Sequence, residues 1–215
     1  MGTAANTVES TASVATSTRG RPREFDDAAV LESLTDLFWA KGFEATSMAD
    51  IVEATGLNKS SLYNAFGSKE AMFGLAVNHY VDNRAQMLTD FLEHGEQGLD
   101  DVMMMFDVMW REVESGDQRG CLAVNTSTEL GPTDERAVEI STRYRETLRG
   151  SFRAAFGRAA DRGEIDPTQI DAYANMITSM VFGMAVVVRG GAPKHEIKAH
   201  LDAARSVVDG WRVAA

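Results

Sequence analysis

Between Gly42 and Glu70 the chain sets six short motifs end to end: Gly42-Phe43, Thr46-Ser47-Met48, Asp50-Ile51, Ala54-Thr55-Gly56-Leu57, Lys59-Ser60-Ser61-Leu62-Tyr63 and Phe66-Gly67-Ser68-Lys69-Glu70. They read as two short helices joined by a glycine turn, and that constrains the chain more than anything else in it. Ser47 stands three residues before Asp50, a capping-box-like start for a helix that buries Met48, Ile51 and Val52. Gly56 ends it, because a positive φ at a helix terminus is easiest without a Cβ. Asn58 is a plausible N-cap for the second helix, which turns Leu62 and Phe66 inward. Lys59, Ser60, Tyr63 and Asn64 are left on the outside.

The flanking sequence is helical in period throughout. From Asp26 to Lys41, Val30, Leu31, Leu34, Leu37 and Phe38 form one apolar face, with Asp27, Glu32 and Asp36 toward the other. Ser68 caps a long helix through about Glu93. Further helices are expected near Leu99–Glu114, Cys121–Leu130, Pro132–Arg162, Pro167–Arg189 and Pro193–Arg212. Each of those prolines falls in a first turn, where a missing N–H costs least. No alternating strand pattern and no internal repeat interrupts this, so the expected fold class is all-α.

The 215 residues are 44% hydrophobic, ample for a packed core, and carry a net charge of -11. That charge argues against general affinity for nucleic acid or membranes, so any DNA contact must be focal. One cysteine and no Cys/His framework point to a reducing interior and to neither metal nor cofactor. The leading segment, rich in Ser, Thr and Ala, reads poorly as a secretory signal and is expected to be a disordered tail. Met176–Val188, the most apolar later run, falls short of the roughly 20 residues a bilayer requires and is broken by Gly183. No membrane anchor is expected, and the cytoplasm fits best.

Two helices joined by a turn can lay the second in a duplex groove while the first crosses the backbone. Lys59 supplies a phosphate-seeking charge, Tyr63 a rigid ring with a hydroxyl, and Ser60, Ser61 and Asn64 short polar groups suited to base edges. Lys69, at the next helix start, offers a further phosphate contact. Upstream, Arg19-Gly20-Arg21-Pro22-Arg23 concentrates positive charge, an arm suited to the backbone or minor groove through Arg21 and Arg23.

From Phe38 to Phe73 these motifs closely resemble the N-terminal domain of TetR-family transcriptional regulators. The resemblance implies an all-helical homodimer with an N-terminal three-helix helix-turn-helix domain and a C-terminal domain that binds an effector and dimerises. It divides this chain into a tail with its basic arm (1–23), a DNA-binding domain (24–68) and an effector and dimerisation domain (69–215). It assigns Thr46, Lys59, Tyr63 and Lys69 to the DNA backbone and Ser60, Ser61 and Asn64 to the bases, with Ser47 beside them. The implied operator is an inverted repeat of double-stranded DNA, and the implied output is repression relieved by a small molecule.

In the C-terminal half, Gly120-Cys121-Leu122-Ala123-Val124-Asn125 and Glu129-Leu130-Gly131-Pro132 resemble the sixth-helix region of some members of that family. Met103, Phe106, Met109, Trp110, Cys121, Met176, Met180 and Phe182 are the candidate pocket lining, apolar and flexible enough for a lipophilic or aromatic effector. Met103-Met104-Met105 does not hold a soft metal, because neighbours on a helix diverge by about 100°. Cys121, at a helix start near Arg119, is the alternative: a thiol responsive to oxidants or electrophiles. Two copies are expected to pair through Ile170, Tyr173, Ile177, Val181, Ala185, Ile197, Leu201, Ala204, Val208 and Trp211 as a four-helix bundle. His79, His94, His195 and His200 lie scattered, leaving enzymatic use of the pocket a remote alternative.

Overall fold

The computed structural model describes residues 26–213, and these are helical with no strand among them. Among the described residues nine α-helices follow in order: α1 Asp27–Lys41, α2 Met48–Thr55, α3 Lys59–Phe66, α4 Lys69–His94, α5 Leu99–Glu114, α6 Leu122–Leu130, α7 Glu135–Asp161, α8 Ile170–Arg189 and α9 Lys194–Asp209. The expected disordered tail and its Arg21 and Arg23 lie outside the described residues.

Helix starts follow side-chain chemistry. Asp26, Asn58, Ser68 and Asp134 each accept a backbone N–H of the first turn of α1, α3, α4 and α7. Pro132 and Pro167 do not begin α-helices as expected. Each sits in a three-residue 3₁₀ turn, Gly131–Thr133 and Pro167–Gln169, and the α-helix proper begins only after it.

Two apolar cores organise the molecule. One joins Leu34 and Phe38 of α1, Ile51 of α2 and Leu62 of α3 to the first half of α4, then continues through Leu122 and Val124 of α6 to Ile140 and Tyr144 of α7. Phe38 meets Phe73 edge-on at 5.1 Å between ring centres. Leu34, Phe38, Ile51 and Leu62 have no exposed surface, and each such side chain contributes about 1.5–3 kcal/mol by burial. The other core fills the space between α5, α7, α8 and α9 around Phe152, Phe156, Ile177 and Leu201. Trp211 stacks on Tyr173 at its end, with centres 4.2 Å apart.

Long α4 belongs to both cores, and its far end is tied down by α7. Arg158 donates to the carbonyls of Glu93 (2.8 Å) and Leu92 (2.6 Å), satisfying orphan acceptors of the last turn. The buried Asp101 lies 3.5 Å from the same guanidinium.

The expected pairing faces of α8 and α9 need correction. Ile177, Ala185, Ile197, Leu201 and Val208 are buried in the chain's own core, with Ile170, Tyr173, Val181, Ala204 and Trp211 packed against it. The exposed apolar stripe is the opposite one: Met176, Gly183 and Val186 on α8, with Ala203 and Val207 on α9. Counted from Pro167 to Arg189, the α8 segment is long and apolar enough by length and composition to cross a membrane, unlike the shorter run on which no anchor was expected. Its inner face is nonetheless committed to a helical core.

Candidate nucleic-acid interface and internal cleft

The turn between α2 and α3 is held by local chemistry. Ser47 Oγ accepts the Asp50 N–H (3.2 Å) while the Asp50 carboxylate accepts the Ser47 N–H (2.8 Å), the complete reciprocal cap. Lys41 adds an ion pair to Asp50 at 2.7 Å, and these contacts hold the Asp50 carboxyl well below the usual carboxylate range, the Lys41 interaction contributing most. Gly56 takes φ 68°, and its N–H closes on the Val52 carbonyl. Asn58 Oδ1 then accepts the Ser61 N–H at 2.9 Å to start α3.

That geometry fixes which side chains α3 presents. Leu62 is fully buried and Phe66 half-buried, so the opposite face carries Lys59, Ser60, Tyr63 and Asn64 into solvent. Tyr63 stays 49% exposed, a large ring turned to solvent. Ser61 is half-buried on the flank, and Ser47 is exposed at the start of α2. Lys69, first residue of α4, rests its ammonium 4.4 Å above the Phe43 ring. Thr46 departs from the rest: it is 1% exposed and its hydroxyl donates to the Gly42 carbonyl, so its side chain shapes the turn before α2 and is not turned outward to a phosphate.

The body grips this unit from three sides. Glu129 of α6 accepts the N–H groups of Phe43 (3.1 Å) and Glu44 (2.8 Å). Arg189 of α8 donates to the carbonyls of Trp39 (3.0 Å) and Ala40 (3.2 Å), a cation at the C-terminal end of α1. Trp39 donates its indole N–H to the Gly120 carbonyl at 3.2 Å, and Arg119 lies 3.8 Å over the same ring while pairing with Asp36 and Asp117.

Behind that contact runs a cleft of about 50 Å³, walled by Trp39, Arg84, Met105, Met109, Glu112, Asp117, Gly120, Cys121 and apolar residues of α8 and α9. Arg84 and Glu112 form a two-pronged ion pair across it, one arm at 3.0 Å. Met109, Val181, Met184 and Leu201 also border an outer groove of about 360 Å³ between α5, α8 and α9, together with Phe106 and Met180.

Of the expected lining, Met109 and Cys121 reach the cleft, and Phe106, Met109 and Met180 the groove. Met176 does not: it is 46% exposed on the outer stripe of α8. Met103 and Trp110 pack against the C-terminal core, and Phe182 stacks on Tyr144 at 5.9 Å, so none of the three borders either cavity. Trp39, Arg84, Glu112 and Asp117 were not foreseen, since isolated charges on helix surfaces and a tryptophan on α1 carry no local signal of a shared wall. Arg119 was expected to act on the Cys121 sulfur, but its guanidinium is committed to Asp117, Asp36 and the Trp39 ring. Cys121 instead shares its core with Tyr80 and Tyr144, and burial followed by the nearby sulfur pushes both phenols well above their ordinary pKa.

Residues 30–76 match the family described as "Bacterial regulatory proteins, tetR family". The HTH-type transcriptional repressor ComR of Escherichia coli is 34% identical over 178 residues, 81% of this chain and 84% of that protein. The chain belongs to the TetR family. Another relative, the HTH-type transcriptional regulator YezE of Bacillus subtilis, is 27% identical over 88% of this chain and 100% of its own. Among solved structures, a cysteine mutant of the TetR-family regulator CifR complexed with 26bp double-strand operator DNA superposes with TM-score 0.75 at 27% identity, over 87% of this chain and 98% of that one. A TetR-family regulator from Cytophaga hutchinsonii shares the fold at TM-score 0.77 and 20% identity, covering 87% and 95% of the two chains. This TetR-family protein is a DNA-binding transcriptional regulator whose partner is double-stranded DNA, and the relatives it matches are regulators, not enzymes.

Proposed function

We propose that this regulator is a cytoplasmic, non-enzymatic repressor that binds an inverted-repeat operator as a homodimer and lets go when a small molecule enters its cleft. The observation that carries the reading is Trp39: it belongs to the first helix of the DNA-reading unit, walls the cleft, and donates to Gly120 on the same wall. A ligand that moves this wall therefore moves α1 and, through the shared core, α3. Release requires only that the ligand favour the arrangement in which the two α3 helices miss their half-sites.

In this reading, residues 24–68 recognise DNA and 69–215 bind effector and partner. Lys59, Tyr63 and Lys69 hold phosphates, with Ser47 and the basic arm of Arg21 and Arg23 beside them. Ser60, Ser61 and Asn64 meet the bases. The partner copy covers Met176 and Val186 on α8, beside the outer groove, which otherwise leave apolar surface in water. Fluorescence anisotropy on DNA upstream of its own gene tests this. Tight binding that falls steeply with salt is expected, and each of Lys59→Ala and Lys69→Ala should lower the salt exponent by about 0.9 for every phosphate it leaves unneutralised. Binding unchanged by either substitution would place the DNA elsewhere.

A second reading has Cys121 as the trigger, favoured by its place in the cleft wall between Tyr80 and Tyr144. The structural neighbours include the cysteine mutant of CifR. A Cys121→Ser protein that releases operator normally on electrophile treatment removes this reading.

A further inference from the structure

The cleft has one polar end, where a hydrogen-bond donor is left over. Arg84 presents both Nη atoms to Glu112, while its Nε is sealed from water and finds no acceptor among the described residues. A buried donor without a partner has lost its water and gained nothing in return, so an oxygen delivered to it recovers more than an exposed hydrogen bond would.

The charge balance narrows what can bring that oxygen. Glu112 already neutralises Arg84, and Asp117 lines the same cleft, held ionised by Arg119. An anionic head group would face two carboxylates and one cation that is already paired. A cationic head would have to displace Arg84 from Glu112. Behind Cys121, the Tyr80 and Tyr144 hydroxyls stay protonated, so each keeps an O–H to donate and adds no negative charge to the cleft. The remaining walls are apolar and rich in methionine, which repacks readily around a guest. At about 50 Å³ the cleft holds little more than a head group, but it is separated only by shared side chains such as Met109 and Met184 from the groove of about 360 Å³, which holds an apolar tail.

We infer that the cleft recognises a neutral, lipophilic carbonyl compound whose oxygen accepts from Arg84 Nε and whose tail lies toward the outer groove. The inference rests on the ligand-responsive reading above and gives that ligand its chemistry.

Three probes of one shape test it on the full chain: benzylacetone (carbonyl), hydrocinnamate (carboxylate) and butylbenzene (neither), titrated calorimetrically. Benzylacetone should bind at least about tenfold tighter than either of the others, the factor that one buried hydrogen bond of about 1.4 kcal/mol supplies. Arg84→Lys keeps a cation opposite Glu112 but removes Nε. It should erase that preference and leave butylbenzene binding as it was. Met184→Trp fills the cleft without touching its polar end and should abolish benzylacetone binding, and both variants are to be checked for wild-type operator affinity as a sign of intact folding. Equal binding of the three probes, tightest binding of hydrocinnamate, no binding of benzylacetone, or a preference that survives Arg84→Lys would each overturn the assignment. Should benzylacetone bind as expected while the operator complex stays intact, the head-group assignment stands and the ligand-release reading falls.

Discussion

Trp39 joins the reading unit to the body, and Trp39→Phe measures how much that joint holds. The substitution removes the 3.2 Å hydrogen bond to the Gly120 carbonyl and weakens the platform under Arg119, while a ring remains to meet Tyr80, now 4.9 Å away edge-on. A neutral hydrogen bond contributes about 0.5–1.5 kcal/mol, and a cation over an aromatic face at a partly exposed site about 0.5–1 kcal/mol, of which phenylalanine keeps a share. The expected loss is about 1–2 kcal/mol, a five- to thirtyfold change in an equilibrium constant.

Urea unfolding followed by circular dichroism reads this as a lower midpoint with an unchanged slope. A double-mutant cycle with Arg119→Met isolates the ring–guanidinium part, expected at about 0.5–1 kcal/mol. Amide exchange along α1 should quicken before that of α7, because the joint opens locally. Stability within about 0.3 kcal/mol of wild type together with zero coupling in the cycle would refute the reasoning and leave Trp39 a mere cover for the cleft.

Three further outcomes are expected. Gly120→Ala puts a Cβ at φ 70° and 2.6 Å from the Ala185 carbonyl oxygen, so it should cost about 2 kcal/mol or more and lower Tm by several degrees in a calorimetric scan. Val186→Glu, at a position 50% exposed in the single chain, should leave the fold intact but shift sedimentation from dimer to monomer mass, since pairing would bury an unmatched charge; a dimer that persists would move the interface elsewhere. The Asp50 carboxyl, depressed from its ordinary 3.8 by Lys41 and Ser47, contributes stability above that value and loses it as pH falls toward the depressed pKa. An NMR titration of Asp50 with its inflection at the ordinary value would contradict the capping geometry.

The helices were legible because their signals are local. Ser47 with Asp50, Gly56, Asn58 and Ser68 each state a helix boundary within four residues, and the structure places a cap at each. Faces were legible where one side is polar, as on α3. On α8 and α9 they were not. Ile177 and Val181 on one side of α8 and Met176 and Val186 on the other are equally apolar, so periodicity cannot say which side meets the core. The cleft was hidden for a different reason: Arg84 and Glu112 lie 28 residues apart on separate helices, and only folding brings them together. Thr46 misled because the resemblance carried a side-chain role to a position where this chain commits the hydroxyl to its own turn.

An acidic protein that binds DNA looks contradictory until its cations are sorted by partner. Arg84, Arg119, Arg158, Arg205 and Arg212 all face carboxylates of the body and are already neutralised. No ion pair among the described residues engages Lys59 or Lys69, which stand on and beside the exposed face of α3. With a net charge of -11 the protein as a whole is repelled by a duplex, so phosphate contacts fall to cations that no carboxylate of the body has claimed, as Lys59 and Lys69 are. On the proposed reading the acidity acts as an orientation filter: repulsion weakens unspecific approaches, while docking that leads with α3 recovers affinity through Lys59 and Lys69 and sets Tyr63, Ser60 and Asn64 against the bases.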